Sequence, residues 1–127
     1  MTEEQDGKKI LLVDDDRDIL SAMQIAMEDM DVEILTAQDG NTAVEMAEKH
    51  LPDVVVLDMM LPKRSGFLVM EEIKRGKKPG DPPRIIMITG NQGSRHKVYA
   101  ESLGVDKYLN KPFRMEKLLD AIQELLD

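Results

Sequence analysis

The chain has 127 residues, of which 42% are hydrophobic and 33% charged, values that predict one ordinary globular domain. Its net charge of −8 argues against this domain alone binding nucleic acid or an anionic membrane, and no apolar run approaches the about 20 residues of a membrane span. The lack of cysteine excludes disulfides, thiol nucleophiles and thiolate metal sites, and fits the cytoplasm. We therefore expect a single cytoplasmic domain over residues 1–127, with 1–8 as a flexible lead-in.

Five segments have the composition of β-strands. Residues 9–13, 54–57 and 84–88 are almost continuous apolar runs, which indicates strands buried on both faces of a parallel sheet. Residues 32–36 and 105–109 mix polar with apolar positions, so we expect them at the sheet edges.

A segment of helical character follows each strand. In the first, apolar residues recur at three- and four-residue spacing up to Met30. Asp39-Gly40 predicts the turn into the second helix, Ser65 is expected to cap a third that runs to about Arg75, and the fourth, 94–103, is only weakly amphipathic. The last helix has a clear apolar stripe.

Five βα units predict an α/β fold: a doubly wound, five-stranded parallel sheet of order 2-1-3-4-5 with helices on both faces, as in flavodoxin.

Reactive side chains follow four of these strands. In such a sheet the carboxyl ends of the strands form the ligand-binding edge. The residues at this edge are Asp14, Asp15 and Asp16 after the first strand, Asp58 after the third, Thr89 after the fourth and Lys111 after the fifth.

Converging carboxylates repel each other by about 4 kcal/mol per pair at 4 Å in a partly screened site. They therefore require a cation or raised pKa values, and oxygen ligands without nearby His or Cys favour Mg²⁺. A lysine and a hydroxyl suit the oxygens of a phosphoryl group, which an aspartate can carry covalently. The residues thus indicate Mg²⁺-dependent acyl-phosphate chemistry.

Four motifs, in this order and spacing, carry a family resemblance: ILLVDDD, VVVLDMMLPKRSG, IIMITG and YLNKPF. Over about residues 8–126 the chain resembles the response-regulator receiver domain of two-component phosphorelay signalling, in particular the chemotaxis regulators. The resemblance implies that Asp58 accepts a phosphoryl group from a sensor histidine kinase or a histidine phosphotransfer protein. It also implies self-catalysed phosphorylation and slow autodephosphorylation, so the protein would be a signalling protein rather than a turnover enzyme.

The resemblance assigns a role to each site residue. Mg²⁺ would be bound by the carboxylates of Asp15 and Asp58, by the backbone carbonyl of Met60, and by Asp14 through water. Thr89 would hydrogen-bond a phosphoryl oxygen and Lys111 would pair with the acyl phosphate, while Asp16 is an accessory acid or a helix cap. The Lys111–Pro112 bond would be cis.

Tyr108 corresponds to the aromatic switch of the family. Phosphorylation is then expected to change residues 89–110 most and to alter the surface formed by residues 94–109 and the last helix. That surface would face an output domain, a downstream protein or a second copy in a homodimer.

Two other functions are compatible with parts of the sequence. A receiver-like docking module would use the same fold without phosphorylation. An aspartyl-nucleophile phosphatase of the haloacid dehalogenase type would use Asp14-Asp15-Asp16, but it needs a second acidic pair after the lysine, which residues 112–127 lack, and it leaves Asp58 without a role. A flavin-binding function is disfavoured because three aspartates would repel the flavin phosphate.

Overall fold

A computed structural model describes residues 7–78, 80–90 and 94–127. Of the predicted lead-in, residues 1–6 lie outside the described residues. Strands and helices alternate along the chain: β1 (Lys9–Val13), α1 (Arg17–Ala26), β2 (Glu33–Ala37), α2 (Gly40–His50), β3 (Val54–Asp58), α3 (Gly66–Lys74), β4 (Arg84–Thr89), α4 (Ser94–Ser102), β5 (Lys107–Asn110) and α5 (Met115–Leu126).

The strands form one parallel sheet in the order β2-β1-β3-β4-β5, which confirms the predicted fold. β3 is the middle strand, and all of its residues are buried. Its three consecutive valines suit this position, because β-branched side chains pack well on a pleated surface. β2 and β5 lie at the edges and are partly exposed, as their mixed sequences predict.

The sheet separates two apolar cores. Successive side chains of a strand point to opposite faces. In β1, Leu11 and Val13 therefore pack with α2 and α3, while Ile10 and Leu12 pack with α1 and α5. Because both faces are covered by helices, the inner strands need continuous apolar runs rather than alternating ones.

Within the described residues, no helix has the length and apolar content that crossing a membrane requires.

The first helix ends earlier than its apolar spacing predicts. It stops at Ala26, and the amide of Met27 donates to the carbonyl oxygens of Met23 and Gln24 at 3.1 and 3.2 Å in a closing turn. Met27 and Met30 nevertheless pack into the core with α1 and α5. The apolar spacing was therefore a correct indication of burial but a wrong one of helical backbone.

The two edge strands also begin later than predicted. β2 begins at Glu33 rather than Val32, and β5 begins at Lys107 rather than Val105. The amide of Val32 donates to the carbonyl oxygen of Met30, and that of Val105 to Ala100, at 3.0 and 3.2 Å. Both valines are thus half-buried parts of connecting turns, although their side chains contribute to the two cores.

Candidate functional site

The carboxyl ends of the strands bring polar side chains together at one buried edge. Asp14, Asp58 and Thr89 are the buried polar residues of the described ranges, with exposed fractions of 2%, 5% and 0%. Backbone hydrogen bonds extend the sheet to this edge, where the amide of Asp14 donates to Ala37 O and the amide of Lys111 donates to Thr89 O, at 3.1 and 2.7 Å. The side chains predicted to converge are therefore held by the sheet itself.

Three carboxylates form a cluster at this edge. One oxygen each of Asp14, Asp15 and Asp58 lies within 4.8 Å of the others. Asp14 and Asp58 are buried, whereas Asp15 is exposed. The cluster thus has a fixed inner pair and an outer carboxylate at the solvent boundary.

Lys111 bridges the inner pair. Its Nζ donates to Asp58 Oδ2 at 3.0 Å and to Asp14 Oδ2 at 3.2 Å. Burial acts to lower the pKa of Lys111, but the hydrogen bonds and negative charges of the two aspartates outweigh it, so the pKa is raised. The Lys111–Pro112 bond is cis, as the resemblance implies.

The pKa of Asp14 is raised above its ordinary value. Burial is the main cause, and the charge of Asp58 adds to it. The backbone amide of Asp16, which donates to Asp14 Oδ1 at 2.9 Å, and the ammonium of Lys111 act in the opposite direction. Three carboxylates converge here on the single ammonium of Lys111, so the charges of the cluster favour binding a further cation.

The loop after β3 contacts the other oxygen of Asp58. The amide of Met60 donates to Asp58 Oδ1 at 3.0 Å. The side chain of Met60 is 69% exposed, so the backbone is the part of this residue that lies next to Asp58. Oδ1 and Oδ2 of Asp58 are thus held by different partners, one from the loop and one from Lys111.

Asp16 caps a helix. Its Oδ1 accepts hydrogen bonds from the amides of Asp18 and Ile19, at 2.8 and 3.4 Å, at the start of α1. Of the two interpretations of this residue, the cap is the one that the structure supports.

Tyr108 lies in β5 opposite Met87 of β4 and packs against the core with α2 and α3. Its hydroxyl is buried and has no hydrogen-bond partner of good geometry within the described ranges. Burial raises the pKa of Tyr108, and a weak side-chain hydrogen bond with Thr89 opposes this shift. The ring is therefore placed mainly by packing, next to the residue predicted to contact a phosphoryl group.

The sequence reasoning missed one contact of the site. Gly40, interpreted only as part of a turn, lies under the loop after β3, and its amide donates to Pro62 O at 3.1 Å. The Asp39-Gly40 pair was the available signal, but it gives no indication of which segment approaches the glycine.

Comparisons with known proteins agree with this arrangement. The family model of the response regulator receiver domain matches residues 10–123. The chain is 35% identical over 120 residues to the alkaline phosphatase synthesis transcriptional regulatory protein PhoP of Bacillus subtilis, covering 94% of this chain and 49% of that protein. It is 34% identical to the DNA-binding dual master transcriptional regulator RpaA of Synechocystis, covering 93% of this chain and 48% of that protein.

A solved structure of a receiver domain has the same fold as this chain. The CheY-like response regulator receiver domain protein of Methanospirillum hungatei superposes with a TM-score of 0.86 at 30% identity, covering 95% of this chain and 94% of that one. The fold and the buried acidic edge define a class of phosphorelay receiver modules. The chain belongs to the response-regulator receiver family and is a receiver domain of the two-component type. It spans about half the length of the curated relatives that it matches.

Proposed function

We propose that Asp58 accepts a phosphoryl group from a phosphohistidine of a sensor histidine kinase or a histidine phosphotransfer protein. The observation that carries this proposal is the placement of Asp58. Its buried carboxylate ends the middle strand, 3.0 Å from the Lys111 ammonium, and two further carboxylates converge on it. Cation, hydroxyl and nucleophile are the groups that phosphoryl transfer requires.

The acidic cluster fits Mg²⁺. Two oxygens bound to one Mg²⁺ at about 2.1 Å can be at most about 4.2 Å apart. The three carboxylate oxygens already lie within 4.8 Å of one another, and Asp15 is exposed and free to move by the remaining few tenths of an ångström. Asp15, Asp58 and the Met60 carbonyl would hold the ion, with Asp14 binding through water. When bound, the ion would neutralise charge that develops on the phosphoryl oxygens.

Three residues would have separate roles in the phosphoryl transfer. A carboxylate oxygen of Asp58 attacks phosphorus, and an O–P bond forms as the N–P bond of the donor breaks. The electron pair leaves with the donor imidazole, which takes up a proton from water. Lys111, already charged and close to Asp58, pairs with a phosphoryl oxygen, and the Thr89 hydroxyl donates to another.

The phosphorylated state would be sensed through Tyr108. A hydrogen bond from Thr89 to the phosphoryl group would draw Thr89 inward and open space for the tyrosine ring. The ring would then change the surface of residues 94–109 and α5. The two named relatives are transcriptional regulators, so an output domain or downstream protein that acts on transcription is the partner we expect there, and a homodimer through the same surface is compatible with it. The net charge of −8 makes direct DNA contact by this domain unfavourable.

Incubation with acetyl phosphate and Mg²⁺ tests the proposal. The intact mass should increase by one phosphoryl group, and Asp58→Asn should abolish the increase, as should a chelator. Asp53→Asn is the matched control, because Asp53 precedes the same strand at the opposite edge of the sheet. Its carboxylate accepts a hydrogen bond from the Lys9 amide at 2.8 Å, and an asparagine oxygen can accept the same bond.

The outcomes separate the alternatives. Labelling that persists in Asp58→Asn would contradict the assignment. No labelling of the unmodified chain by acetyl phosphate or by a phosphorylated kinase would favour the docking module, and continuous turnover of many phosphate esters would favour a phosphatase.

A further inference from the structure

Gly40, the first residue of α2, makes an unusually close contact with the loop of residues 59–65. A Cβ atom added to Gly40 would lie within 2.8 Å of the carbonyl oxygen, carbonyl carbon and Cβ of Arg64. Real Cβ atoms essentially never approach other atoms so closely, and two of these three atoms belong to the backbone. The amide of Gly40 also donates to Pro62 O at 3.1 Å. Only glycine fits this position without moving the loop.

The loop has little freedom to absorb such a movement. At its far end the amide of Gly66 donates to Met59 O at 2.8 Å, and a Cβ there would meet Asp58 O at 2.5 Å. Within the loop, Lys63 has a φ of 70°, which is a left-handed backbone conformation that residues with a side chain rarely adopt. The loop is therefore closely packed from both sides, and close-packed segments transmit displacement rather than absorb it.

This loop presents the backbone of Met60 to the site. The Met60 amide donates to Asp58 Oδ1 at 3.0 Å, and the proposed function gives its carbonyl to the cation. We propose that Gly40 is a positioning residue for phosphorylation: its contact with Arg64 fixes the loop that aligns the Met60 backbone with Asp58 and the cation. This inference rests on the proposed function.

Gly40→Ala in the full chain tests the inference. Isothermal calorimetry should show a Mg²⁺ dissociation constant raised by about tenfold, as for other changes behind a metal ligand, and labelling by acetyl phosphate should slow at low Mg²⁺. Val44→Ala is the matched control. Val44 is a buried residue of the same helix, so the change should lower Tm without adding an atom under the loop, and the Mg²⁺ affinity should stay within about twofold.

Equal loss of Mg²⁺ affinity in both variants would mean that Gly40 acts only through the stability of α2, and it would overturn the inference. An unchanged affinity in Gly40→Ala, with normal labelling, would overturn it as well. If the unmodified chain neither binds Mg²⁺ nor becomes labelled, the proposed function itself fails, and this result is distinguishable because it does not depend on any variant.

A measurement on the unmodified chain covers the case in which Gly40→Ala does not fold. Mg²⁺ should slow hydrogen exchange of the Gly40 amide, which is bonded to the loop, but not of the Leu51 amide, which donates to Ala47 O at 3.0 Å at the other end of α2. Equal effects at both amides, or no effect at Gly40, would overturn the inference.

Discussion

Lys111 shows how a single side chain balances the charge of the site. It is bonded to two buried carboxylates that would otherwise face each other across the edge of the sheet. Its pKa is raised above 10.5, so its stabilising contribution is complete below that pH and is lost as the pH rises through the folded-state pKa. At neutral pH it is a permanent counter-ion of Asp14 and Asp58.

Lys111→Gln should therefore reduce the free energy of unfolding in metal-free buffer. Removing one partner of a buried ion pair leaves uncompensated charge, and because the side chain is 26% exposed we expect a loss of about 1–3 kcal/mol rather than the full buried value. Lys107→Gln is the control, since the Lys107–Glu124 pair at 2.7 Å is more exposed and should contribute less than about 1 kcal/mol. Urea unfolding measures both, and equal losses would show that water screens the site as well as it screens the surface.

The convergence of these side chains could be predicted from the sequence because strand ends of a parallel sheet meet at one edge. Asp14, Asp58 and Lys111 lie far apart in the chain, yet Asp14 and Asp58 directly follow or end apolar runs, and Lys111 follows the mixed fifth strand. Which partner hydrogen-bonds each carboxylate oxygen of Asp58 could not be predicted. That Asp58 Oδ1 accepts from Met60 while Oδ2 accepts from Lys111 depends on side-chain rotamers and on the loop path, neither of which the residue pattern encodes.

At the level of the elements, the start of α2 is defined by Asp39. Its Oδ1 accepts from the Thr42 amide at 2.8 Å, and its Oδ2 accepts from the Thr42 hydroxyl at 3.0 Å. The hydrogen bond from the Thr42 amide is the main cause that lowers the pKa of Asp39 below 3.8. Because the folded-state pKa is lowered, this stabilisation is complete above pH 3.8 and is lost as the pH falls through the folded value.

Asp39→Ala should reduce the free energy of unfolding by about 1 kcal/mol at neutral pH, the usual cost of losing a helix cap. Asp39→Asn should keep most of that stability, because asparagine also caps helices, but it should lose the part of the acid dependence that arises at this carboxyl. Thermal unfolding at pH 7 and at pH 3 checks both variants. A full loss in Asp39→Asn at pH 7 would show that the charge, rather than the cap, stabilises α2.

The bounds of the elements were predicted less well than their types and order. Apolar spacing reports which side chains are buried, and Met30, Val32 and Val105 are indeed packed against the cores. Their backbones nevertheless belong to turns, because a turn can bury a side chain as effectively as a helix or a strand. The caps were better guides, as Ser65 shows: its Oγ accepts from the Leu68 amide at 3.3 Å, where the third helix was expected to begin.

For the whole molecule, burial near the site differs between the centre of the sheet and the edge formed by β5 and α4. β3 and β4 are buried along almost their full length, whereas β5 is half exposed and Ala100 is the buried residue among the described side chains of α4. Val98 and Tyr99 of α4 are 63% and 46% exposed. Segments with few buried apolar contacts open more readily than the core, so this side is expected to respond most to a change at Asp58.

Phosphorylation of Asp58 should therefore change hydrogen exchange most in residues 89–110. The new charge-assisted bond to Thr89 would draw that residue inward, and the Tyr108 ring, which lies in the half-exposed edge strand β5, can move into the space that Thr89 leaves. Exchange measured with and without acetyl phosphate and Mg²⁺ gives the pattern, and Asp58→Asn with the same additions is the control, because it separates the effect of the phosphoryl group from that of the ion. Tyr108→Ala should accept the phosphoryl group but show smaller changes along α4. Should the largest changes fall on α1 and α2 instead, the surface of residues 94–109 and α5 would not be the one that phosphorylation alters.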